Sequence, residues 1–300
     1  MSNRSHRVPA IRSVGIAAVA IVALGVTAPL VANAALPSAR PAVSAAAAPT
    51  KAASTAKPTI VLVHGAWADA SSFSKVTAVL QKDGYVVRNA PNPLRNLESD
   101  AANVSAFINQ NTKGPVVLVG HSYGGTVMTN AATSTPTVKA LVYIDAYAPA
   151  EGESSLDLTG AKPGSLLAVP DPSTVFDFVQ YPGAPTGDVD TYIKPGLFRK
   201  IFAAKLPLSQ ARELAVSQSP AALSALSGKS AAPAWKTIKS FFFVGTDDKV
   251  IPAAEQLAMA KRAGASSAAG TVAKYKADHL SMLEAPKTIA ALIEKAAKTK

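Results

Sequence analysis

The sequence contains no cysteine, so it can form neither a disulfide framework nor a thiolate metal site. Histidine is scarce, with 4 residues among 300, and no clustered His/Asp ligand set accompanies it. Only 6% of the residues are aromatic, and no dense basic stripe is interleaved with them, although the formal net charge is +11. We therefore expect no metal, no organic cofactor and no nucleic-acid partner.

The first 34 residues have the three regions of a secretory signal peptide. Three arginines within residues 1–12 precede an almost wholly apolar run over 14–31, and Ala32-Asn33-Ala34 supplies a small-x-small cleavage site. A retained membrane anchor is the alternative, because the run approaches the length that spans a bilayer. Glycine and proline within the run favour cleavage after Ala34, which would leave no stable membrane insertion.

The basic residues form no twin-arginine pair, so we expect the general secretory route. Export without disulfides suggests a secreted or envelope protein of a bacterium. Residues 35–57 are rich in Ala, Pro, Ser and Thr and lack an apolar period, which indicates a disordered linker. Residues 58–300 fit one domain.

Short apolar runs alternate with helical patterns through most of this domain. Because strands that alternate with helices form parallel sheets, we expect an α/β fold with helices on both faces of the sheet. We predict four helices from these patterns: one capped by Ser71 or Ser72, one with Leu97 and Ile108 on its inner face, one after Pro252 and one beginning at Pro286. The predicted strands are 59–64, 85–89, a run that begins at Pro115, 139–144, 240–245 and 271–275.

The alternation fails between residues 146 and 235. This stretch is rich in proline yet also apolar, and Phe198 and Phe202 are spaced as in a short helix. A lid inserted above the sheet is our interpretation, since long insertions in compact domains are usually functional or disordered. Additional scaffold that never meets a ligand is the alternative.

The organising motif is Gly120-His121-Ser122-Tyr123-Gly124, which follows a Val- and Leu-rich strand and precedes a helical stretch. In the G-x-S-x-G pattern, a sharp strand-to-helix turn carries the serine hydroxyl outward, and the glycines allow the strand and helix to approach closely. The pattern predicts Ser122 as a nucleophile.

A serine nucleophile needs a base, and only one histidine is suitably placed. His6 lies in the signal peptide, His64 ends the first strand, and His121 is held beside the serine. His279 follows the last strand, as this topology requires. A carboxylate must orient the imidazole, and Asp247, Asp248 and Asp145 all follow neighbouring strands.

Four motifs resemble the α/β-hydrolase fold family, and most closely its plant methylesterase and hydroxynitrile lyase group with the bacterial esterase relatives of that group. They are LVHGAW (62–67), GHSYGG (120–125), DDKVIP (247–252) and ADHLSML (277–283). The group's aspartate lies four residues before the proline, which implies Asp248 rather than Asp247. Asp278 is expected, from its place in the loop beside His279, to be a solvated acid. The resemblance also implies the backbone N–H groups of Ala66 and Tyr123 as oxyanion-hole donors.

The resemblance implies a serine hydrolase that cleaves small apolar carboxylic esters, with no cofactor. We expect the substrate pocket to be lined by Trp67, Tyr123, Met282 and Leu283, with packing in the core as the alternative for each. A carbon–carbon lyase, a cofactor-free perhydrolase and a non-catalytic binding protein are the alternatives. In the lyases the residue after the catalytic histidine is lysine, whereas here it is Leu280, although Lys194 or Lys205 of the insertion could reach the site.

Overall fold

Six parallel strands form the central sheet of the computed structural model, which describes residues 57–299. Their order is β2-β1-β3-β4-β8-β9, so β3 lies in the interior of the sheet between β1 and β4. In chain order the strands are β1 (Thr59–Val63), β2 (Val87–Asn89), β3 (Val116–His121), β4 (Val138–Ile144), β5 (Phe176–Val179), β6 (Asp190–Ile193), β7 (Ala221–Ala222), β8 (Ser240–Gly245) and β9 (Val272–Tyr275).

The sequences of the central strands are almost continuously apolar because helices cover both faces of the sheet. Every residue of β1 and β3 is buried, as expected for parallel strands with no solvent-facing side. The helices are α1 (Ser74–Lys82), α2 (Leu97–Asn111), α3 (Tyr123–Ala131), α4 (Ser155–Thr159), α5 (Pro195–Phe202), α6 (Leu208–Val216), α7 (Leu223–Ser227), α8 (Ala253–Arg262), α9 (Ser281–Glu284) and α10 (Pro286–Ala297). The predicted α/β architecture is confirmed.

Two helix pairs show how the layers are built. Helix α1 packs against α10, and α2 packs against α3. Along α2 the residues spaced three and four apart, from Leu97 to Ile108, are buried as predicted. The Asn96 side chain caps this helix by accepting a hydrogen bond from the Ser99 N–H at 2.9 Å.

The first helix begins differently from the prediction. Neither Ser71 nor Ser72 caps α1, whose N-cap is Phe73 without a side-chain hydrogen bond. Both serines lie instead in a 3₁₀ turn over Ala70–Phe73, which Asp69 caps and which leads into α1. The Asp69 carboxylate accepts a hydrogen bond from the Ser71 N–H at 2.7 Å.

The insertion over 146–235 has its own secondary structure. Strands β5, β6 and β7 form a three-stranded antiparallel sheet, which the sequence did not predict because each strand is short. Helix α5 confirms the helical spacing of Phe198 and Phe202, both of which are buried. The insertion also contains α4, α6 and α7.

Residues 1–56 and 300 are outside the described part of the chain, and with them the predicted signal peptide and nearly all of the predicted linker. Within residues 57–299, no helix has both the length and the apolar character needed to cross a membrane.

Candidate active site

Ser122 lies at the junction of β3 and α3 in a backbone conformation that non-glycine residues rarely adopt. Its φ is 53° and its ψ is −126°, so the turn holds conformational strain at this residue. Neighbouring glycines make the turn possible. A Cβ on Gly120 would lie 2.6 Å from the Gly124 carbonyl oxygen, and one on Gly65 would lie 2.6 Å from the Ser122 Cβ. The close approach of β1, β3 and α3 therefore requires glycine at both positions.

Two backbone N–H groups beside Ser122 are free to bind a ligand. Tyr123 is the first residue of α3, where helical N–H groups have no intrahelical acceptor. Neither its N–H nor that of Ala66 donates a hydrogen bond to another group within residues 57–299. The next N–H, of Trp67, is occupied because it donates to the Ser219 carbonyl oxygen at 3.0 Å.

His279 and Asp248 form a buried pair. The Asp248 Oδ2 lies 2.9 Å from the His279 Nδ1. The other Asp248 oxygen, Oδ1, accepts from the Val250 N–H at 2.7 Å and the Ile251 N–H at 3.0 Å, while the Gln256 amide donates to Oδ2 at 2.9 Å. Burial raises the pKa of the Asp248 carboxyl, and these N–H donors oppose that rise. Because three N–H groups besides the imidazole surround the carboxyl, it acts as an acceptor and holds the proton of His279 on Nδ1.

The opposite nitrogen of His279 has a free lone pair. Nε2 is buried and has no hydrogen-bond partner within residues 57–299, Ser122 included. Burial lowers the pKa of His279 to about 3, so the imidazole is neutral at neutral pH and can accept a proton. The ring packs edge-on against Phe202, at 4.6 Å between centroids. The His121 Nε2 donates to the His279 carbonyl oxygen at 2.9 Å, while the buried His121 Nδ1 has no hydrogen-bond partner within residues 57–299.

The two rival aspartates have other partners. The Asp247 carboxylate forms an ion pair with the Lys205 Nζ at 2.6 Å. Asp145 is fully buried and accepts hydrogen bonds from the Gly245 N–H and the Ser281 hydroxyl. Burial and the nearby Asp248 raise the pKa of the Asp145 carboxyl. Neither Asp145 nor Asp247 contacts the His279 imidazole through a hydrogen bond.

Asp278 corrects an expectation. We expected a solvated loop acid, but the residue is only 2% exposed. Its Oδ2 accepts a hydrogen bond from the Lys205 N–H at 2.8 Å. The insertion covers this loop, and the sequence adjacent to Asp278 carries no sign of that long-range contact.

A cavity of about 200 Å³ opens onto Ser122, and Ala66 and Tyr123 also line it. None of its lining residues, all within the described part of the chain, is charged. Most of them belong to the insertion. Its apolar wall is formed by Leu167, Pro172, Phe176, Phe178, Leu223 and Leu226.

Of the four residues expected to line the pocket, the structure brings Trp67 and Tyr123 to the cavity. Met282 and Leu283 are buried in the core on α9 instead. Trp67 has a φ of 56°, and its indole N–H donates to the Thr191 carbonyl oxygen at 2.9 Å. That contact joins the loop after β1 to the insertion. Sequence reasoning did not find the cavity residues of the insertion, because no local pattern marks them.

The comparison with known families agrees with this architecture. A family model described as the alpha/beta hydrolase family matches residues 60–292. The chain belongs to this family. That membership confirms the resemblance carried by the four motifs.

This α/β hydrolase also matches curated and structurally characterised proteins. It is 34% identical over 110 residues to the carbendazim hydrolyzing esterase of Nocardioides sp. (strain SG-4G), covering 33% of this chain and 46% of that protein. The chain spans about half of the length of the curated relatives it matches.

Two solved structures illustrate the shared fold. An extracellular alpha/beta-hydrolase from a Paenibacillus species is 24% identical, with a TM-score of 0.62 over 81% of this chain and 100% of that one. Polyneuridine aldehyde esterase is 18% identical, with a TM-score of 0.66 over 80% of this chain and 99% of that one. At these identities the likeness is one of fold.

Proposed function

We propose that this α/β hydrolase is a serine esterase in which Ser122, His279 and Asp248 form the catalytic triad. One observation carries the proposal. A buried imidazole, oriented by Asp248 through Nδ1 and free at Nε2, accompanies a strained serine beside two unoccupied N–H groups. Nucleophile, base, orienting acid and oxyanion donors are the parts that acyl transfer requires.

The geometry supports the following reaction. His279 takes the proton of the Ser122 hydroxyl at Nε2 as the serine oxygen attacks the ester carbonyl. The N–H groups of Ala66 and Tyr123 bind the oxyanion, and in other enzymes the loss of one such donor costs about 2.7–4 kcal/mol. The alcohol leaves with the proton from His279. Water then releases the acid from the acyl-enzyme, again with His279 as base.

The shape and polarity of the cavity support small, uncharged esters as substrates. A cavity of about 200 Å³ with no charged lining residue favours burial of an apolar acyl or alcohol group. We propose that the insertion over 146–235 acts as a lid, because its side chains form most of the cavity wall and Phe202 covers His279.

The test uses purified protein with p-nitrophenyl esters of increasing acyl length, together with a fluorophosphonate label. We expect hydrolysis that declines for long acyl chains, and a label that mass spectrometry locates on Ser122. A non-catalytic binding protein would give neither hydrolysis nor labelling, and either absence would contradict the proposal.

We predict that the protein releases no cyanide from mandelonitrile or acetone cyanohydrin above the rate in buffer. Leu280 follows His279 and cannot stabilise departing cyanide by charge. The two lysines that could have replaced that charge are engaged elsewhere, Lys194 with Asp177 and Lys205 with Asp247, and neither lines the cavity. Cyanide release that disappears in Ser122→Ala would instead identify a lyase on the same fold.

We also propose that the chain is exported and processed, from the signal-peptide pattern of residues 1–34. The expected mature N-terminus is Ala35, which mass spectrometry of protein expressed from the full-length gene in a bacterium measures directly. An intact N-terminus in the membrane fraction would support a retained anchor in its place.

A further inference from the structure

The cavity has a polar part that the proposed reaction does not use. Four hydroxyl-bearing residues of the insertion line it together with the apolar wall. One of them, Thr191, donates its proton to the Ala221 carbonyl oxygen at 2.7 Å, which leaves Tyr147, Ser155 and Thr159 to be considered. All three are buried. Buried hydroxyl protons are costly to leave without an acceptor, so the direction of each hydrogen bond can be deduced.

The hydroxyl protons of Tyr147 and Thr159 are both used in hydrogen bonds within the protein. The Thr159 hydroxyl donates to the Ser155 carbonyl oxygen at 2.8 Å, which uses its only proton. The Tyr147 hydroxyl lies 2.7 Å from the Thr159 Oγ1. Tyr147 must therefore be the donor in that contact. Both protons are used, and neither residue has one left for a ligand.

The hydroxyls of Ser155 and Thr126 lie 2.7 Å apart, and either could be the donor. Thr126 is fully buried on α3, and Ser155 is the only side-chain partner of its hydroxyl within residues 57–299. If Ser155 donated, the Thr126 proton would be buried without an acceptor. Donation from Thr126 to Ser155 avoids that cost, because Ser155 lines the cavity and can direct its own proton into it.

We propose that the Ser155 hydroxyl donates a hydrogen bond to a neutral acceptor on the substrate, a ketone or ether oxygen separate from the scissile ester. The favoured substrates are then esters that carry such a second oxygen on an otherwise apolar skeleton. Ser155 is the specificity-determining residue. This inference rests on the proposed esterase function.

The position of Ser155 is suited to this role. Its partner Thr126 is four residues after Ser122 on α3, which is about 6 Å along the helix axis from the nucleophile. Ser155 is the first residue of α4, and a capping box fixes that helix start. The Ser154 hydroxyl accepts from the Asp157 N–H at 3.1 Å, and the Asp157 carboxylate accepts from the Ser154 N–H at 2.9 Å.

The experiment compares matched ester pairs that differ only in the second oxygen. The pairs are p-nitrophenyl 4-oxopentanoate with pentanoate, p-nitrophenyl 5-oxohexanoate with hexanoate, and 2-methoxyethyl hexanoate with butyl hexanoate. We expect Ser155→Ala to lower kcat/KM for the oxygen-bearing member of at least one pair about tenfold more than for its partner, the effect of one lost hydrogen bond to a buried acceptor.

Thr126→Val is the matched control. It breaks the same hydroxyl pair but leaves the Ser155 proton available to the substrate. We expect this variant to change kcat/KM by the same factor for both members of every pair. The proposal is wrong if Ser155→Ala lowers kcat/KM equally for both members of all three ester pairs. It is also wrong if Thr126→Val discriminates between the esters as strongly as Ser155→Ala does. In either case the Thr126–Ser155 hydrogen bond has only a structural role.

The unmodified protein provides a second measurement that does not depend on the folding of a variant. For each pair, kcat/KM of the oxygen-bearing ester is divided by kcat/KM of its partner. In at least one pair we expect this ratio to exceed the same ratio of hydroxide-catalysed hydrolysis rates. A ratio equal to the chemical one in all three pairs would refute the role of Ser155 and leave the esterase proposal intact. No hydrolysis of any ester would refute the esterase proposal, and this inference with it.

Discussion

Replacing Ser122 by alanine is expected to lower kcat for ester hydrolysis about 10⁶-fold, as in serine proteases, where the triad members act as a unit. The reason is that the oxygen forming the acyl-enzyme is lost, while the cavity and the N–H groups of Ala66 and Tyr123 remain. The measurement is kcat with a short-chain p-nitrophenyl ester. His279→Ala is expected to have an effect of similar size, because it removes the base.

Ser71→Ala is a suitable control for Ser122→Ala. Ser71 is exposed, and its hydroxyl forms no hydrogen bond within residues 57–299, so the variant should retain full activity. Thermal unfolding of each variant verifies the fold. Full esterase activity in a folded Ser122→Ala variant would refute the proposed mechanism outright.

Asp248→Asn is expected to lower kcat about 10⁴-fold, the loss measured when the orienting aspartate of a serine protease triad is replaced by asparagine. The carboxylate accepts from the His279 Nδ1 at 2.9 Å. An asparagine whose NH₂ group faced Nδ1 would favour the wrong tautomer and place the imidazole proton on Nε2, where the base needs a lone pair. The acid therefore acts through the histidine rather than on the substrate.

Asp247→Asn is the matched control for Asp248→Asn, because the two residues are adjacent and undergo the same chemical change. Asp247 pairs with Lys205 at the surface of the protein, and exposed ion pairs contribute about 0–1 kcal/mol. We expect kcat to stay within about twofold of the unmodified protein, since that ion pair does not touch the reacting groups. The opposite ranking of the two variants would identify Asp247 as the functional acid.

Much of the fold follows from local patterns in the sequence. The β-strands at the centre of the sheet are continuous Val-, Leu- and Phe-rich runs, and α2 has a regular apolar spacing, so short windows of sequence are sufficient to predict them. The turn at Ser122 is largely encoded locally, because Gly120 and Gly124 lie within two residues of the serine, whereas Gly65 is supplied by the loop after β1.

Other features depend on contacts between distant segments, and the sequence left them open or misplaced them. Asp247 and Asp248 are neighbours with identical side chains. The resemblance favoured Asp248 by its spacing to Pro252, but the physical distinction comes from the packing of the loop after β8 against His279. Met282 and Leu283 lie three and four residues after the histidine, yet α9 turns them into the core and away from the cavity.

The sequence by itself determined the family, the order of the central strands along the chain, and the positions of Ser122 and His279 as candidates for catalysis. The tertiary structure decided which carboxylate meets the imidazole, which side chains of the insertion line the cavity, and which hydroxyls pair beside it. The physical reason is the range of the interactions. Strand and turn propensities act over a few residues, whereas the pairs Asp248–His279 and Thr126–Ser155 join segments about thirty residues apart and form only when the chain has folded.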